Sequence, residues 1–150
     1  MRTLIAVVVL AISGGVVGSA CAQDHGHDQH PHPVPADTAS ARYPVDASLQ
    51  QGMRNIRAAV DGLGHYEAGH AAPADAVRLA GEVEDNVRFV IANCKLPPEA
   101  DAALHGIILP LMQNAGTLKR DPEKREAIAA MRKSLADYAR QFDDPEAMPR

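Results

Sequence analysis

The residues best suited to chemistry lie in one short stretch near the start of the chain. Four histidines and two aspartates fall within nine residues, in the order Asp24, His25, His27, Asp28, His30 and His32. Neutral imidazoles are good ligands for Cu(II), Ni(II) and Zn(II), and a histidine-rich tract is a metal-binding composition. The sequence therefore predicts a metal site at His25, His27, His30 and His32, with copper first and nickel or zinc next.

This histidine-rich arm spans residues 23–44 and contains almost no apolar side chain. Pro31, Pro33 and Pro35 interrupt regular backbone pairing. Such a segment cannot bury enough apolar surface to offset the entropy of ordering it, and we expect it to be disordered. The alternative to metal binding is that the arm is a hydrophilic spacer.

An export signal precedes the arm and decides what its first residue is. Met1–Ala22 has a positive start at Arg2, an apolar run and small residues at its end. Cleavage after Ala20-Cys21-Ala22 would make Gln23 the amino terminus and His25 the third residue. That arrangement resembles the amino-terminal copper and nickel motif of several secreted proteins, in which the amine, two backbone amides and a third-position imidazole surround the ion.

The same segment also resembles a bacterial lipoprotein signal. Gly18-Ser19-Ala20-Cys21 is similar to a lipobox, in which Cys21 would become the lipidated first residue, although Gly18 departs from the usual leucine. Both endings export the protein, which we expect in the periplasm or, as a lipoprotein, on the inner or outer membrane. A membrane contact is expected only if Cys21 is lipidated.

Weaker candidate ligands lie beyond the arm. Cys94 has no partner cysteine once Cys21 is removed or acylated, so it is either a buried apolar residue or a reactive or metal-binding thiol. His105 follows Asp101 by one helical turn, and we expect it at an exposed border of its helix. Glu67 and His70 have the Glu-x-x-His spacing of di-iron helical bundles, provided that helix 1 continues that far. Glu84 could add a carboxylate, but the last helix has no histidine, which makes a di-iron centre a poor fit.

Four amphipathic segments must position these residues. The first begins at Asp46, a good N-cap, and carries apolar residues at helical spacing, namely Leu49, Met53, Ile56, Val60 and Leu63. The second runs from Pro73 or Asp75 to Cys94, with an apolar face of Val77, Ala80, Val83, Val87, Val90 and Ile91. The third runs from Pro98 to about Ala115 with a kink at Pro110, and the fourth starts at Asp121-Pro122. The fourth carries Ile128, Met131, Leu135, Tyr138 and Phe142.

Short connections between these segments favour an all-α, antiparallel up-down-up-down four-helix bundle. The predicted organisation is a signal peptide at 1–22, the disordered arm at 23–44, the bundle at 45–143 and a frayed tail at 144–150. The absence of Trp, with only two Phe and three Tyr, agrees with small helical cores rather than sheets.

The predicted bundle resembles the periplasmic haem protein cytochrome b562 in size, export and topology. The resemblance covers residues 46–142 and implies haem held between a methionine of the first helix and a histidine of the last. Met53 is suitably placed, but helix 4 has no histidine, and His105 or His65 would have to substitute. Haem is therefore an unlikely cofactor for this chain.

Composition and missing motifs narrow the function further. The formal charge is −4 with no basic stripe, which argues against nucleic-acid binding. We find no phosphate loop, G-x-S-x-G or H-E-x-x-H motif and expect no catalysis. The first hypothesis is a periplasmic metal-binding or metal-responsive protein; the alternatives are a non-catalytic helical interaction or stress module and a haem carrier. A metal ion is the expected partner, and a second copy of the chain is a further candidate.

Overall fold

The computed structural model describes residues 42–147, which form four α-helices. They are α1 (Ala47–Glu67), α2 (Pro73–Asn93), α3 (Pro98–Arg120) and α4 (Glu126–Gln141). Residues 42–147 contain no strand, and the bridge between Tyr43 and Phe142 is isolated. The predicted all-α fold is confirmed. The signal peptide and the arm through residue 41 lie outside the described residues, as do residues 148–150.

The four helices are arranged antiparallel in a ring. Each helix packs against the next along the chain, and α1 also touches α4. The connections 68–72, 94–97 and 121–125 are too short to cross the bundle, so successive helices must run in opposite directions. The start of α1 and the end of α4 therefore share one end of the bundle.

The core is made by the apolar stripes that the sequence predicts. All five seam residues of α1 are buried, and α4 buries Ile128, Met131, Leu135 and Tyr138. Burying one such side chain is worth roughly 1.5–3 kcal/mol. Most helix stability in a bundle comes from this packing rather than from helix propensity.

The predicted start of α1 and the α2–α3 hairpin are confirmed. The Asp46 side chain accepts a 2.7 Å hydrogen bond from the backbone N–H of Leu49, which otherwise has no helical partner. The helix α2 ends at Asn93 and α3 begins at Pro98, with Glu99 and Asp101 in its first turn. A proline in this first turn loses no hydrogen bond, and the two carboxylates face the positive end of the helix.

Two predicted helix boundaries are wrong. The helix α3 continues past Ala115 to Arg120 because Leu118 extends its buried stripe, while Lys119 and Arg120 favour the negative end of a helix. The helix α4 starts at Glu126 instead of Asp121. The Asp121 side chain accepts from the N–H of Glu123, so it forms a turn between two helices rather than a helix cap.

One residue assigned to the core face of α2 lies on the surface. Ile91 is 56% exposed, although its neighbour Val90 is fully buried. Successive helical residues are separated by about 100°, so Ile91 falls beside the stripe and not on it. Glu84 is buried instead.

The chain after α4 is packed and not frayed through residue 147. Asp144 and Ala147 are 3% and 2% exposed. Asp144 accepts hydrogen bonds from the Tyr138 hydroxyl, the Gln50 side chain and the N–H of Glu146. The frayed tail predicted from residue 144 is therefore wrong for 144–147.

Candidate functional site

The histidine-rich arm is joined to one particular end of the bundle, which we call the junction end. The N–H of Tyr43 donates to the carbonyl oxygen of Gln141 at 2.8 Å, and the N–H of Asp143 donates to the carbonyl oxygen of Tyr43 at 2.8 Å. Asp46 also accepts a 2.5 Å hydrogen bond from the N–H of Lys95. The junction end thus gathers the start of α1, the α2–α3 connection and the end of α4. His25, His27, His30 and His32 themselves lie outside the described residues.

Cys94 lies at the junction end, directly after α2. Its N–H donates to the carbonyl oxygen of Val90 at 2.9 Å, and its side chain is half-buried against the core. Burial raises the pKa of the Cys94 thiol, and the carboxylates of Asp46 and Asp101 raise it further. The thiolate is the nucleophile and the metal ligand, so these neighbours keep the group in its less reactive form at neutral pH.

His105 lies on the surface of α3, as the sequence predicts. Its side chain is 51% exposed, and its Nδ1 atom lies 2.8 Å from the carbonyl oxygen of Asp101 and 3.5 Å from Oδ2 of the same residue. An Nδ1–H that donates to this carbonyl leaves Nε2 as the acceptor, which is the form that binds a metal ion. Asp101 therefore orients this imidazole, and His105 could supply one ligand.

Glu67 and His70 lie at the opposite end of the bundle and do not share a helix. The helix α1 ends at Glu67, and Gly69 then adopts a φ of 77°, a left-handed conformation that favours glycine. Glu67 forms a 2.5 Å ion pair with Arg132, and His70 is exposed. The segment through His70 is therefore a turn and not a further turn of α1, so Glu67 and His70 do not have the helical Glu-x-x-His arrangement.

The bundle candidates do not come together as a metal centre. Within residues 42–147 no group of three or more His, Cys, Asp or Glu side chains is arranged to hold an ion. The residues considered as haem ligands also differ in their exposure to solvent. Met53 is inside the core, whereas His65 and His105 are exposed.

Glu84 was considered as an extra metal ligand, but its carboxylate is already neutralised. It accepts from Nζ of Lys119 at 2.7 Å and from the guanidinium of Arg88 at 3.1 Å. The hydrogen bond from Lys119 is the main reason that the pKa of Glu84 is lowered despite its burial. This cluster joins α2 to α3 and leaves the carboxylate poorly available to a cation.

A cleft between α1 and α4 was not predicted from the sequence. Its volume is about 190 Å³, and it has charged walls and a floor of small apolar residues, formed by Arg57, Asp61, Arg132, Leu135, Ala136, Ala139 and Ala147. The sequence signal was present in the alanines of α4, whose small side chains leave space beside a neighbouring helix. Without the helix pairing, that spacing could not be distinguished from ordinary packing.

The chain has no match among protein-family models, curated proteins or solved structures. The likeness to cytochrome b562 is therefore one of four-helix architecture alone. None of the described helices is both long enough and apolar enough to cross a membrane.

Proposed function

We propose that the protein is an exported, periplasmic metal-binding protein that sequesters or passes on copper through its histidine-rich arm. The observation that carries the proposal is the density of ligands between Asp24 and His32, where four imidazoles and two carboxylates lie within nine residues. A segment with this composition can supply several imidazoles to a single ion. Nickel and zinc are the next candidates because they also accept imidazole.

The weaker candidate ligands of the bundle lie at two different ends of it. Cys94 and His105 belong to the end of the bundle that the arm enters. Glu67 is the last residue of α1 and His70 follows it, at the far end of a helix whose 21 residues extend ~31 Å. Cys94 and His105 are therefore the bundle candidates nearer to the start of α1, and Glu67 and His70 are the more distant ones.

The two possible amino termini divide the proposal into two forms. A mature chain starting at Gln23 would offer a planar four-nitrogen site ending at His25, which suits Cu(II) and Ni(II). Lipidation of Cys21 would remove that site and leave the imidazoles of the arm. The intact mass of protein purified from the periplasm distinguishes these forms, because an acyl group, a free Gln23 and a cyclised Gln23 differ in mass.

The test is a calorimetric titration with Cu(II) on the exported protein and on a variant lacking residues 23–33. We expect the deletion to abolish tight binding while leaving the helical circular dichroism unchanged. The matched control is the double substitution His65→Ala and His70→Ala, which removes two imidazoles from the far end and should leave the stoichiometry intact. Unchanged stoichiometry after the deletion would reject the proposal. Loss of tight one-to-one binding on His25→Ala, with His30→Ala less harmful, would place the planar site.

One observation favours the alternative of a helical interaction module. Ile91 and Leu109 are more than half exposed and Phe89 is 39% exposed, so α2 and α3 present large apolar side chains to solvent. This alternative predicts that deletion of the arm leaves the interaction of the bundle with its partner unchanged. It also predicts concentration-dependent self-association in sedimentation velocity, weakened by Ile91→Lys together with Leu109→Lys. A monomer at all concentrations would remove the case for a homodimer.

A further inference from the structure

The cleft between α1 and α4 is a gap in an otherwise closed ring of helices. At the junction end, the backbone pairing of Tyr43 with Phe142 connects the residues before α1 to the end of α4. At the other end, the Tyr66 hydroxyl donates to the carbonyl oxygen of Pro122 at 3.0 Å. Between these two contacts α1 and α4 face each other, and the side chains of Ala136 and Ala139 are too short to fill the space between the helices.

Two charged side chains in this cleft have no ionic partner among residues 42–147. Arg57 is half-buried on α1, and Asp61 follows it by one helical turn. Neither forms an ion pair or a side-chain hydrogen bond with another described residue, and they do not pair with each other. Arg132, by contrast, is paired with Glu67. Arg57 is the partly buried charge, and such a charge is more stable with a partner, whereas Asp61 is exposed at the rim of the cleft. The cleft therefore offers one partly buried cation with an unpaired carboxylate at its rim.

The floor of the cleft is apolar and of limited size. The floor is formed by Leu135, Ala139 and Ala147. The cleft volume is about 190 Å³, and because cavities of roughly 150 Å³ hold benzene, the cleft has room for a group of that size. A drug-sized ligand would require roughly 300 Å³ or more. The space therefore matches one medium-sized aliphatic or aromatic group.

We propose that this cleft binds a free α-amino acid with a medium-sized apolar side chain. The ligand carboxylate would accept from Arg57, its ammonium would donate to Asp61, and its side chain would lie on Leu135 and the alanines. A simple anion fits less well, because it would place a second negative charge beside Asp61. A simple amine would in turn be repelled by Arg57. The site lies outside the histidine-rich arm and does not depend on metal binding.

The test is a set of ¹H–¹⁵N chemical-shift titrations of the full mature chain with L-leucine and two analogues of similar apolar body. The analogue 4-methylpentanoate lacks the amine, and 3-methylbutylamine lacks the carboxylate. We expect saturable shifts with L-leucine at the amides of Ala136, Ala139 and Ala147. Each analogue should bind about tenfold more weakly, because each leaves one cleft charge without a partner. Equal binding of an analogue and leucine, or no saturable shifts with leucine, would overturn the proposal.

Substitutions separate the two ends of the ligand. We expect Arg57→Gln to abolish the preference for leucine over 3-methylbutylamine, and Asp61→Asn to abolish the preference over 4-methylpentanoate. The matched controls are Arg78→Gln and Glu82→Gln, which alter an exposed pair of similar spacing on α2 and should leave the titration unchanged. Ala136→Leu fills the cleft without removing a charge and should also abolish the shifts. Retained leucine binding in Ala136→Leu would contradict the assigned site even if the charge variants fold poorly.

Discussion

The hydroxyl of Tyr138 donates a 2.8 Å hydrogen bond to Oδ2 of Asp144, and both residues are almost completely buried. Tyr138 belongs to α4 and Asp144 to the segment after it, so this bond holds the end of the chain against the bundle. Burial and this hydrogen bond together raise the pKa of Tyr138 far above its ordinary range, which keeps the hydroxyl protonated as a donor. The segment that follows α4 is therefore part of the folded unit.

Replacement of Tyr138 by phenylalanine should destabilise the bundle by about 1–2 kcal/mol. The buried carboxylate of Asp144 would lose one of its three donors, and an unsatisfied buried acceptor is costly. Urea unfolding followed by circular dichroism measures the loss. Tyr43→Phe is the control, because the Tyr43 ring packs against the Phe142 ring in a tilted arrangement but its hydroxyl has no hydrogen-bond partner within residues 42–147. Equal losses in the two variants would show that the bond to Asp144 makes no specific contribution to stability.

The same bond shows why sequence reasoning predicted the helices better than their ends. The seams of α1 and α4 follow from local periodicity, and the Asp46 cap needs only a residue three positions away. The packing of Asp144 depends on a donor from Gln50, which is 94 positions away, and no local pattern reveals it. Asp143-Asp144-Pro145 read alone is a polar helix stop.

The predicted boundary between α3 and α4 was wrong for a related reason. Asp121-Pro122 has the residue types of a helix start and equally of a turn. What favours a longer α3 is the burial of Leu118 and the contact of Lys119 with Glu84, which is 35 positions away. The lack of an ion pair between Arg57 and Asp61 could likewise not be predicted, because charges one helical turn apart ordinarily pair on a solvent-exposed helix face.

Glycine at position 52 allows α1 and α2 to approach closely, and Gly52→Ala should destabilise the protein. An added β-carbon would overlap Cγ2 of Val90, whose β-branched side chain has little freedom to move. Overpacking of this kind costs about 1–3 kcal/mol, more than the ~1 kcal/mol that alanine gains in helix propensity.

The matched control is Gly81→Ala in the middle of α2, where an added β-carbon meets no atom within 4 Å. It should stabilise the bundle by up to ~1 kcal/mol. Thermal unfolding of the two variants should therefore shift in opposite directions from the wild type. A stabilised Gly52→Ala variant would mean that the helices separate at little cost.

Glu84 should give the bundle part of its sensitivity to acid. The pKa of this carboxyl is lowered in the folded state, chiefly by the hydrogen bond from Lys119. A lowered folded-state pKa means that the ionised form stabilises the fold above the unfolded-state value. This contribution is lost as the pH falls through the folded-state pKa.

We therefore expect Glu84→Gln to lose up to about 1 kcal/mol at pH 7, because Lys119 and Arg88 lose their shared carboxylate but remain 38% and 58% exposed to water. The variant should also show a shallower decline in the free energy of unfolding between pH 5 and pH 2. Urea unfolding at several pH values measures both effects. Glu82→Gln, on the exposed face of α2, should leave the acid dependence unchanged; an equally shallow decline in that variant would rule out a specific role for Glu84.

Cys94 should be a slow nucleophile whose reactivity depends on the nearby carboxylates. Burial is the largest cause of its raised pKa, followed by the charges of Asp46 and Asp101. At pH 7 we expect iodoacetamide to modify Cys94 more slowly than glutathione, with a rate that rises about tenfold per pH unit until the raised pKa is reached. Asp101→Asn removes one negative charge and should increase the rate at pH 7 a few-fold, whereas Asp85→Asn on the outer face of α2 should not.

The same raised pKa requires any metal ion that binds this thiol to displace its proton, so a contribution of Cys94 to Cu(I) binding must strengthen as the pH rises. Competition titrations of the wild type and Cys94→Ser at pH 6 and pH 8 measure this. A difference between the two proteins that grows with pH would assign the thiol to the metal site, and identical affinities at both values would exclude the thiol from it.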